Sequence, residues 1–353
     1  MLVVSDFTGD YKDGYNTSLN IEQYSSEDSD TVFFYAIQCG IDKKNIQRYK
    51  DYRRKILLDL WSPCQFFVEP NHFSILEDFD EVYTICPYTA DWTNAQLGRK
   101  LMKYCFYPVT PETISPQATV GSIKKLLLDR FNIGHTSSHA SEPSGLKKTH
   151  DVCYVGGLYS PEHHLMIDII SKYRYVFVTQ NREKKATHRR LTNAEKINQV
   201  AKCKIGICFN KLYPTASHVA SVKSYADWQN NRAFDCLSDP ISIAPQIKTR
   251  LHELALCKTL ILCHRDPWNL VEDYYEPGKE FIYFDNIEDL KTLIPEILAN
   301  YDAYQSVIDN AYRKVMNYSS RQLVDMVQKG AEFGHDYLIS ENSRSTSPNA
   351  CLV

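Results

Sequence analysis

Short apolar runs alternate with longer polar stretches through the first part of the chain. The runs are Leu2–Val4, Thr31–Ile37, Lys55–Leu60, Glu81–Cys86 and Lys103–Pro108. Nearly continuous apolar runs are typical of strands buried on both faces of a parallel sheet. The polar stretches are long enough for the helices that parallel crossovers require. One predicted helix is Tyr88–Met102, with Leu97, Leu101 and Met102 on its apolar side.

The same alternation restarts near residue 150. The predicted strands are Asp151–Val155, Tyr175–Thr179, Lys204–Phe209, Thr259–Cys263 and Phe281–Phe284. The predicted helices are Pro161–Lys172, Asn193–Lys202 and Lys248–Cys257, followed by three that begin at Ile287, Tyr301 and Ser320. In Pro161–Lys172, we expect Leu165, Ile169 and Ile170 to share the buried face. Two consecutive series of this kind predict an α/β protein with two doubly wound, Rossmann-like domains facing each other across a cleft.

The boundary between the two series falls in a stretch of different composition. A predicted helix, Val120–Phe131, is followed by residues 134–145, which are rich in Ser, His, Gly and Pro and read as a linker. We therefore predict a first domain over residues 1–148, a second over 149–338 and a disordered tail over 339–353.

Composition narrows the functional classes. The 353 residues are 43% hydrophobic and carry a net charge of −3, which excludes a broadly basic nucleic-acid binder and an acidic disordered chain. No apolar run has the length of a membrane helix, and the first residues lack the basic region of a signal peptide. The eleven cysteines are odd in number and form no CxxC motif, so we expect buried, reduced thiols and a cytoplasmic location.

The segment from Lys248 to Leu290 is the most informative. It holds a helix ending in Ala255-Leu256-Cys257, an apolar strand, the loop Glu276-Pro277-Gly278-Lys279-Glu280 and then Glu288-Asp289-Leu290. This order resembles the C-terminal half of GT-B glycosyltransferases, especially the CgeB-like and group 1 transferases. The resemblance extends to residues 151–162 and 202–210, and more weakly to 80–92. A transferase with neither signal nor anchor also resembles those of large algal DNA viruses, which would place it in the host cytoplasm.

This resemblance implies a glycosyltransferase that moves a hexosyl or pentosyl group from a UDP- or GDP-linked sugar. The second domain would bind the donor, and the first would bind a glycan, glycoprotein or other hydroxyl acceptor. The family implies that Glu253, at the beginning of a helix, accepts the ribose hydroxyls; spacing alone favours a solvated helix glutamate. The commonest retaining enzymes have a second acid eight residues earlier, where this chain has Pro245. The stereochemical outcome therefore stays open.

Further donor-side candidates follow from position. Gly156-Gly157 lies between a strand and a helix, where backbone N–H groups can approach a diphosphate. Arg250 lies one turn before Glu253, and Lys211 follows the end of a strand, where ligands gather. We assign Glu276 to the donor site through the matched loop. The basic stretch 182–190 would lie at the cleft edge, although such stretches are more often solvated loops.

The first domain offers candidates for a catalytic base. Asp6 and Asp10 follow the first strand; Asp59, shortly before Trp61, and Asp91, beside Trp92, are further candidates. Acidic residues in such loops are more often plain loop residues or helix caps than catalytic bases. The aromatic residues nearby could stack on sugar rings but are more often half-buried packing: Tyr11, Tyr15, Trp61, Tyr88 and Trp92.

Metal-binding motifs are weak. The nearest approach to a DxD motif, Asp28-Ser29-Asp30, reads as a loop, and His163-His164 reads as a helix start without a metal-ligand partner. We therefore expect charge compensation by helix dipoles and basic side chains, without a metal or other cofactor.

Two alternatives share this architecture. A GT-B-like sugar-nucleotide epimerase would bind the same donor without an acceptor, and a non-catalytic module would bind a sugar or a partner. A dinucleotide oxidoreductase is disfavoured, because neither domain opens with G-x-G-x-x-G.

Overall fold

The computed structural model describes residues 1–5, 21–36, 46–64, 66, 72–109, 147–213, 224–225 and 244–334. The predictions for Asp6, Asp10, the helix 120–131, the linker 134–145 and the tail 339–353 lie outside the described residues.

A five-stranded parallel sheet forms in the first half of the chain. Its strands are β1 (Leu2–Ser5), β2 (Thr31–Ala36), β3 (Arg54–Asp59), β4 (Glu81–Thr84) and β5 (Met102–Tyr104). They lie side by side in the order β1-β2-β3-β4-β5, so the described strands advance in one direction. Alternate residues of β2 enter different cores: Phe33 and Tyr35 face one, and Val32 and Phe34 face the other. Helices α1 (His72–Leu76) and α2 (Pro87–Leu97) belong to this half.

The second sheet is parallel and reverses direction. Its strands are β6 (His150–Val155), β7 (Tyr175–Thr179), β8 (His188–Arg189), β9 (Cys203–Cys208), β12 (Leu260–His264) and β13 (Ile282–Phe284), in the order β13-β12-β9-β6-β7-β8. The chain moves outward from β6 to β8 and then returns to the other side of β6. The switch therefore falls between β6 and β9, where open α/β sheets bind ligands. A separate antiparallel pair consists of β10 (Lys211–Leu212) and β11 (Ala244–Pro245).

Helices cover the second sheet and continue beyond it. They are α3 (Pro161–Ile170), α4 (Asn193–Ala201), α5 (Thr249–Leu256), α6 (Leu290–Ala299), α7 (Gln305–Val315) and α8 (Ser320–Gln328). Local sequence defines several ends. Thr192 and Glu195 form a capping box at α4, and Ser319 and Gln322 form another at α8.

The predicted α/β class and the two parallel sheets are confirmed. Several boundaries differ from the predictions. Gly98, with φ of +64°, ends α2 in the left-handed conformation, so Leu101 and Met102 lie outside the helix and Met102 begins β5. The strand predicted over Lys103–Pro108 pairs only as far as Tyr104.

Two further expectations about helices are wrong. Leu165 is 40% exposed, because the buried face of α3 is formed by His163, Met166, Ile167, Ile169 and Ile170. Glu253 lies in the second turn of α5, since the helix already begins at Thr249. The helices predicted from Ile287 and Tyr301 open as 3-10 turns and become α-helical at Leu290 and Gln305.

Helix α8 crosses back to the first sheet. Arg54 donates hydrogen bonds to the carbonyls of Val327 and Gln328, and Lys103 Nζ donates to the carbonyl of Gly330. Both cations also pair with Glu81. Since the last carbonyls of a helix lack intrahelical partners, these cations cap the end of α8 and join it to the first half.

Cysteine burial agrees with the prediction for most of the described thiols. Cys86, Cys105, Cys153, Cys203, Cys208, Cys257 and Cys263 are free and buried, whereas Cys64 is free and half-buried. Within the described ranges, no helix combines the length and apolarity needed to cross a membrane.

Candidate functional site

A cavity of about 380 Å³ lies at the carboxyl ends of strands from both sheets. Leu60, Trp61 and Cys64 follow β3, and Tyr107 follows β5. Phe209 follows β9 at the switch of the second sheet. The remaining wall comes from the second half: Tyr154, Tyr159, His163, Lys211, Leu212, Tyr213, Gln246, Ile247, Lys248, Thr249 and Arg250.

Arg250 contacts the glycine turn that follows β6. A Cβ atom on Gly156 would lie 2.4 Å from Nη2 of Arg250, and Gly156 has φ of +144°. The guanidinium carbon also lies 5.2 Å from the ring centroid of Tyr154. Gly156 therefore supplies both the backbone conformation and the space that the guanidinium occupies.

Lys248 stands beside Arg250 at the beginning of α5. Its side chain is half-buried in the cavity wall, and its Nζ donates to Oε1 of Gln246. Burial, and then the neighbouring Arg250, lower the pKa of Lys248 from 10.5 to about 7. In the part of the chain that the structure describes, neither Lys248 nor Arg250 pairs with a carboxylate. The cavity thus holds two basic groups at a helix N-terminus with no carboxylate partner among the described residues, an arrangement suited to an anion.

Lys211 is buried and forms a different pair. Its Nζ lies 3.5 Å from Oε2 of Glu162, which also accepts a hydrogen bond from the Tyr213 hydroxyl at 3.0 Å. Burial opposes ionisation of Glu162, but Lys211 outweighs this effect together with smaller contributions, and the pKa of Glu162 is lowered. The positive charge of Lys211 is therefore partly offset by the carboxylate of Glu162.

His163 lies among aromatic rings of the second-half wall. Its ring centroid is 4.6 Å from that of Phe209 and 5.0 Å from that of Tyr213, and its Nδ1 is 2.9 Å from the Ser160 hydroxyl. Burial, and then Arg250, lower its pKa to about 3. His163 is therefore a neutral packing residue at the start of α3, as expected, rather than an ionised group.

The buried carboxylate of Asp59 supports the first-half wall. Its Oδ1 accepts a hydrogen bond from the Trp61 backbone N–H at 3.2 Å, and its Oδ2 lies 3.7 Å from Nε2 of His72. Asp59 is fully buried, so this candidate base acts here as a support for the loop that follows β3. Asp91 is exposed on α2, and Trp92, an expected stacking surface, is buried in the core.

Some predicted donor residues meet at the cavity and others do not. Lys211 and Arg250 line it, Gly156 contacts Arg250, and Gly157 packs against the ring of Tyr159. Pro245, at the position of the missing acid, pairs with Lys211 in the β10-β11 ladder.

Two predicted glutamates have other partners. Glu253 is buried and accepts a hydrogen bond from Lys196 Nζ at 2.6 Å; it does not line the cavity. Glu276 is exposed, pairs with Lys279 at 2.6 Å and lies in the turn closed by Gly278. The basic stretch 182–190 includes β8 at the edge of the sheet. Before this strand, Lys185 pairs with Asp168.

Two cavity residues, Lys248 and Tyr159, were not predicted from the sequence. Lys248 directly precedes α5, and a lysine at that position near a predicted anion site was the available signal. Tyr159 is 67% exposed beside Gly157 at the cavity. No signal in the sequence separated its ring from the buried tyrosines. Among the described residues, no group of three or more His, Cys, Asp or Glu side chains could hold a metal ion.

Residues 168–325 match the protein family described as "Glycosyl transferase-like". This match supports the resemblance found in the second half and covers less than half of the chain. No curated protein matches. The CgeB-like grouping and the viral origin stay predictions.

Solved structures provide more distant likenesses. HepE from Anabaena, solved with UDP-glucose, has 12% identity and a TM-score of 0.46, over 85% of this chain and 79% of that one. A glycosyltransferase from Rickettsia africae has 10% identity and a TM-score of 0.47, over 92% and 82%. The pneumococcal O-GlcNAc transferase GtfA, solved with UDP and GlcNAc, has 8% identity and a TM-score of 0.46, over 85% and 56%.

Proposed function

We propose that this chain is a metal-independent GT-B glycosyltransferase. It transfers a hexosyl or pentosyl group from a UDP- or GDP-linked sugar to a hydroxyl of a glycan or related acceptor. The observation that carries the proposal is the pair Lys248 and Arg250, which faces a cavity at the carboxyl ends of strands from both sheets. The family match over 168–325 includes α5, where Arg250 lies.

The charges of this pair suit the leaving group of such a transfer. The acceptor oxygen forms a bond to the anomeric carbon, the bond from that carbon to the diphosphate oxygen breaks with its electron pair left on the diphosphate, and the acceptor hydroxyl gives its proton to a base or to the solvent. Negative charge then accumulates on the nucleoside diphosphate. Basic side chains and helix N–H groups that face this charge lower the barrier, because their interactions with it are stronger in the transition state than in the ground state.

Nucleotide affinity provides the direct test. We expect UDP or GDP to bind in the presence of EDTA, and Arg250→Ala to weaken binding by about 10- to 150-fold, since a charge-assisted hydrogen bond contributes ~1.5–3 kcal/mol. Arg189→Ala is the matched control, because Arg189 is exposed on β8 and does not line the cavity. Calorimetric titration of the three proteins measures both effects. Equal affinities in Arg250→Ala and the wild type would remove the proposed donor site.

Turnover then identifies the reaction. Incubation of the bound nucleotide sugar with a panel of acceptors should release nucleoside diphosphate and form a glycoside, followed by NMR. Conversion of the nucleotide sugar to an epimer without an acceptor would assign the epimerase instead. Binding without any turnover over the panel would favour the non-catalytic module.

A further inference from the structure

The side chain of Asn210 joins two neighbouring strands of the second sheet to the start of α5. Asn210 follows the end of β9 by two residues and is fully buried. Its Nδ2 donates to Sγ of Cys263 on β12 at 3.5 Å. Its Oδ1 accepts from Sγ of Cys208 at 3.6 Å and from the backbone N–H of Lys248 at 3.2 Å. One amide therefore connects three elements at the carboxyl edge of the sheet.

The strand side of this connection is held by the sheet itself. Cys208 and Cys263 are register partners on the parallel strands β9 and β12, and both are fully buried. The ladder between the two strands therefore sets the positions of both sulfur atoms. Because one thiol donates to the amide oxygen and the other sulfur accepts from the amide nitrogen, the pair selects one orientation of the Asn210 amide.

The helix side carries the basic groups of the cavity. Lys248 is the N-cap residue of α5, and Arg250 lies in the first turn. In a capping box, a glutamate or glutamine three residues after the N-cap accepts a hydrogen bond from the N-cap N–H. This chain has Leu251 at that position, and Oδ1 of Asn210 accepts the bond instead. The carbonyl of Asn210 also accepts from the N–H of Gln246, so the same residue binds the backbone before α5 twice.

We infer that Asn210 is a positioning residue of the proposed donor site. It holds the backbone at Lys248, and thereby sets how Arg250 and the first N–H groups of α5 meet a diphosphate. Hydrogen bonds weaken steeply when they are misaligned, so a shift of this helix start lowers affinity even when both basic side chains are present. The inference rests on the proposed function, because it takes the start of α5 as the diphosphate site. It adds a residue that acts through two residues of the cavity wall.

Asn210→Ala removes the amide, and Asn94→Ala is the matched control. The Asn94 side chain also makes three hydrogen bonds, which bind the backbone of Leu101 and Met102 in the first half. Both variants should lower the midpoint of urea denaturation, because each loses buried hydrogen bonds. Only Asn210→Ala should weaken the binding of UDP or GDP in calorimetric titration, by about tenfold.

A double-mutant cycle separates positioning from a general loss of structure. In the Arg250→Ala background, Asn210→Ala should weaken nucleotide binding by no more than about threefold, because the main group that it positions is already absent. A role in overall stability alone would give the same factor in both backgrounds. Wild-type affinity in Asn210→Ala, equal factors in the two backgrounds, or an equal loss of affinity in Asn94→Ala would overturn the inference.

Hydrogen exchange tests the same contact without nucleotide. In Asn210→Ala, the amides of residues 247–256 should exchange about tenfold faster than in the wild type, while those of α6 keep their rates. Unchanged exchange in 247–256 would overturn the inference. If Asn210→Ala does not fold, Cys263→Ala takes its place. It removes the acceptor of the Asn210 amide and should change affinity and exchange about threefold in the same directions; unchanged values would then overturn the inference.

The two proposals fail differently. If the wild type binds no nucleotide, the proposed function fails, and the inference fails with it. If the wild type binds nucleotide and Asn210→Ala binds it equally well, only the inference fails.

Discussion

Replacement of Gly156 by alanine tests how the chain makes room for Arg250. The new Cβ would lie 2.4 Å from Nη2 and 2.6 Å from Nη1, where ordinary contact begins at 3.4 Å. The guanidinium must therefore move by about 1 Å or more, a shift that removes aligned hydrogen bonds to a bound anion. The φ of +144° adds a backbone cost for alanine.

The control separates these two effects. Gly98 also has a positive φ, of +64°, but a Cβ there would meet no atom within 4 Å. Gly98→Ala should therefore cost only backbone strain, ~1–2 kcal/mol of unfolding free energy, and leave nucleotide affinity unchanged. Gly156→Ala should cost ~1–3 kcal/mol and also weaken nucleotide binding about 10- to 150-fold.

Urea denaturation and calorimetric titration with nucleoside diphosphate measure the two quantities on the same preparations. The double variant Gly156→Ala/Arg250→Ala should bind no more weakly than Arg250→Ala alone, because the displaced group is already absent. The reasoning fails if Gly156→Ala binds nucleotide as tightly as Gly98→Ala does.

Four other predictions follow from buried contacts and charge. The pKa of Lys248, about 7, means that nucleotide affinity should fall as pH rises above 7, and that Lys248→Gln should flatten this dependence in titrations at several pH values. The folded state releases this proton near pH 7 and the unfolded chain near 10.5, so the wild type should gain stability between these pH values relative to Lys248→Gln, in denaturation curves. Glu253→Gln should lower the unfolding free energy by ~1–3 kcal/mol, since it weakens the partly buried ion pair with Lys196; an unchanged nucleotide Kd would exclude its ribose role. Gly206→Ala should cost ~1–3 kcal/mol in urea denaturation, because its Cβ would lie 2.1 Å from a Leu254 methyl carbon; unchanged stability would show that the core yields there.

The fold was more accessible from the sequence than the site. Parallel strands such as Tyr175–Thr179 are continuous apolar runs, and the runs alone located them. Gly98 ended α2 earlier than expected because one residue in the left-handed conformation overrides the apolar pattern that continues to Met102. The side-chain partner of Glu253 depended on α4, 57 residues away, and no local pattern encodes such a contact.

Two residues of the cavity wall were nevertheless predicted from the sequence. Arg250 and Lys211 were placed by their positions at helix and strand ends, which the parallel topology brings to one edge. Glu276 was assigned through a loop motif, but in the structure that motif forms an exposed turn. Motif similarity thus located the segment and did not determine which of its side chains face the cavity.

The return of α8 to the first sheet has a consequence for synthesis of the chain. Phe106 packs with Phe333 at a ring distance of 5.5 Å, and Arg54 binds the end of α8. At translation rates of about 5–20 residues per second, the ~230 residues between Phe106 and Phe333 take roughly 10 to 50 seconds to emerge. During that interval the first sheet lacks the helix that covers it. The nascent first half therefore exposes the apolar face that α8 later covers until α8 has left the ribosome.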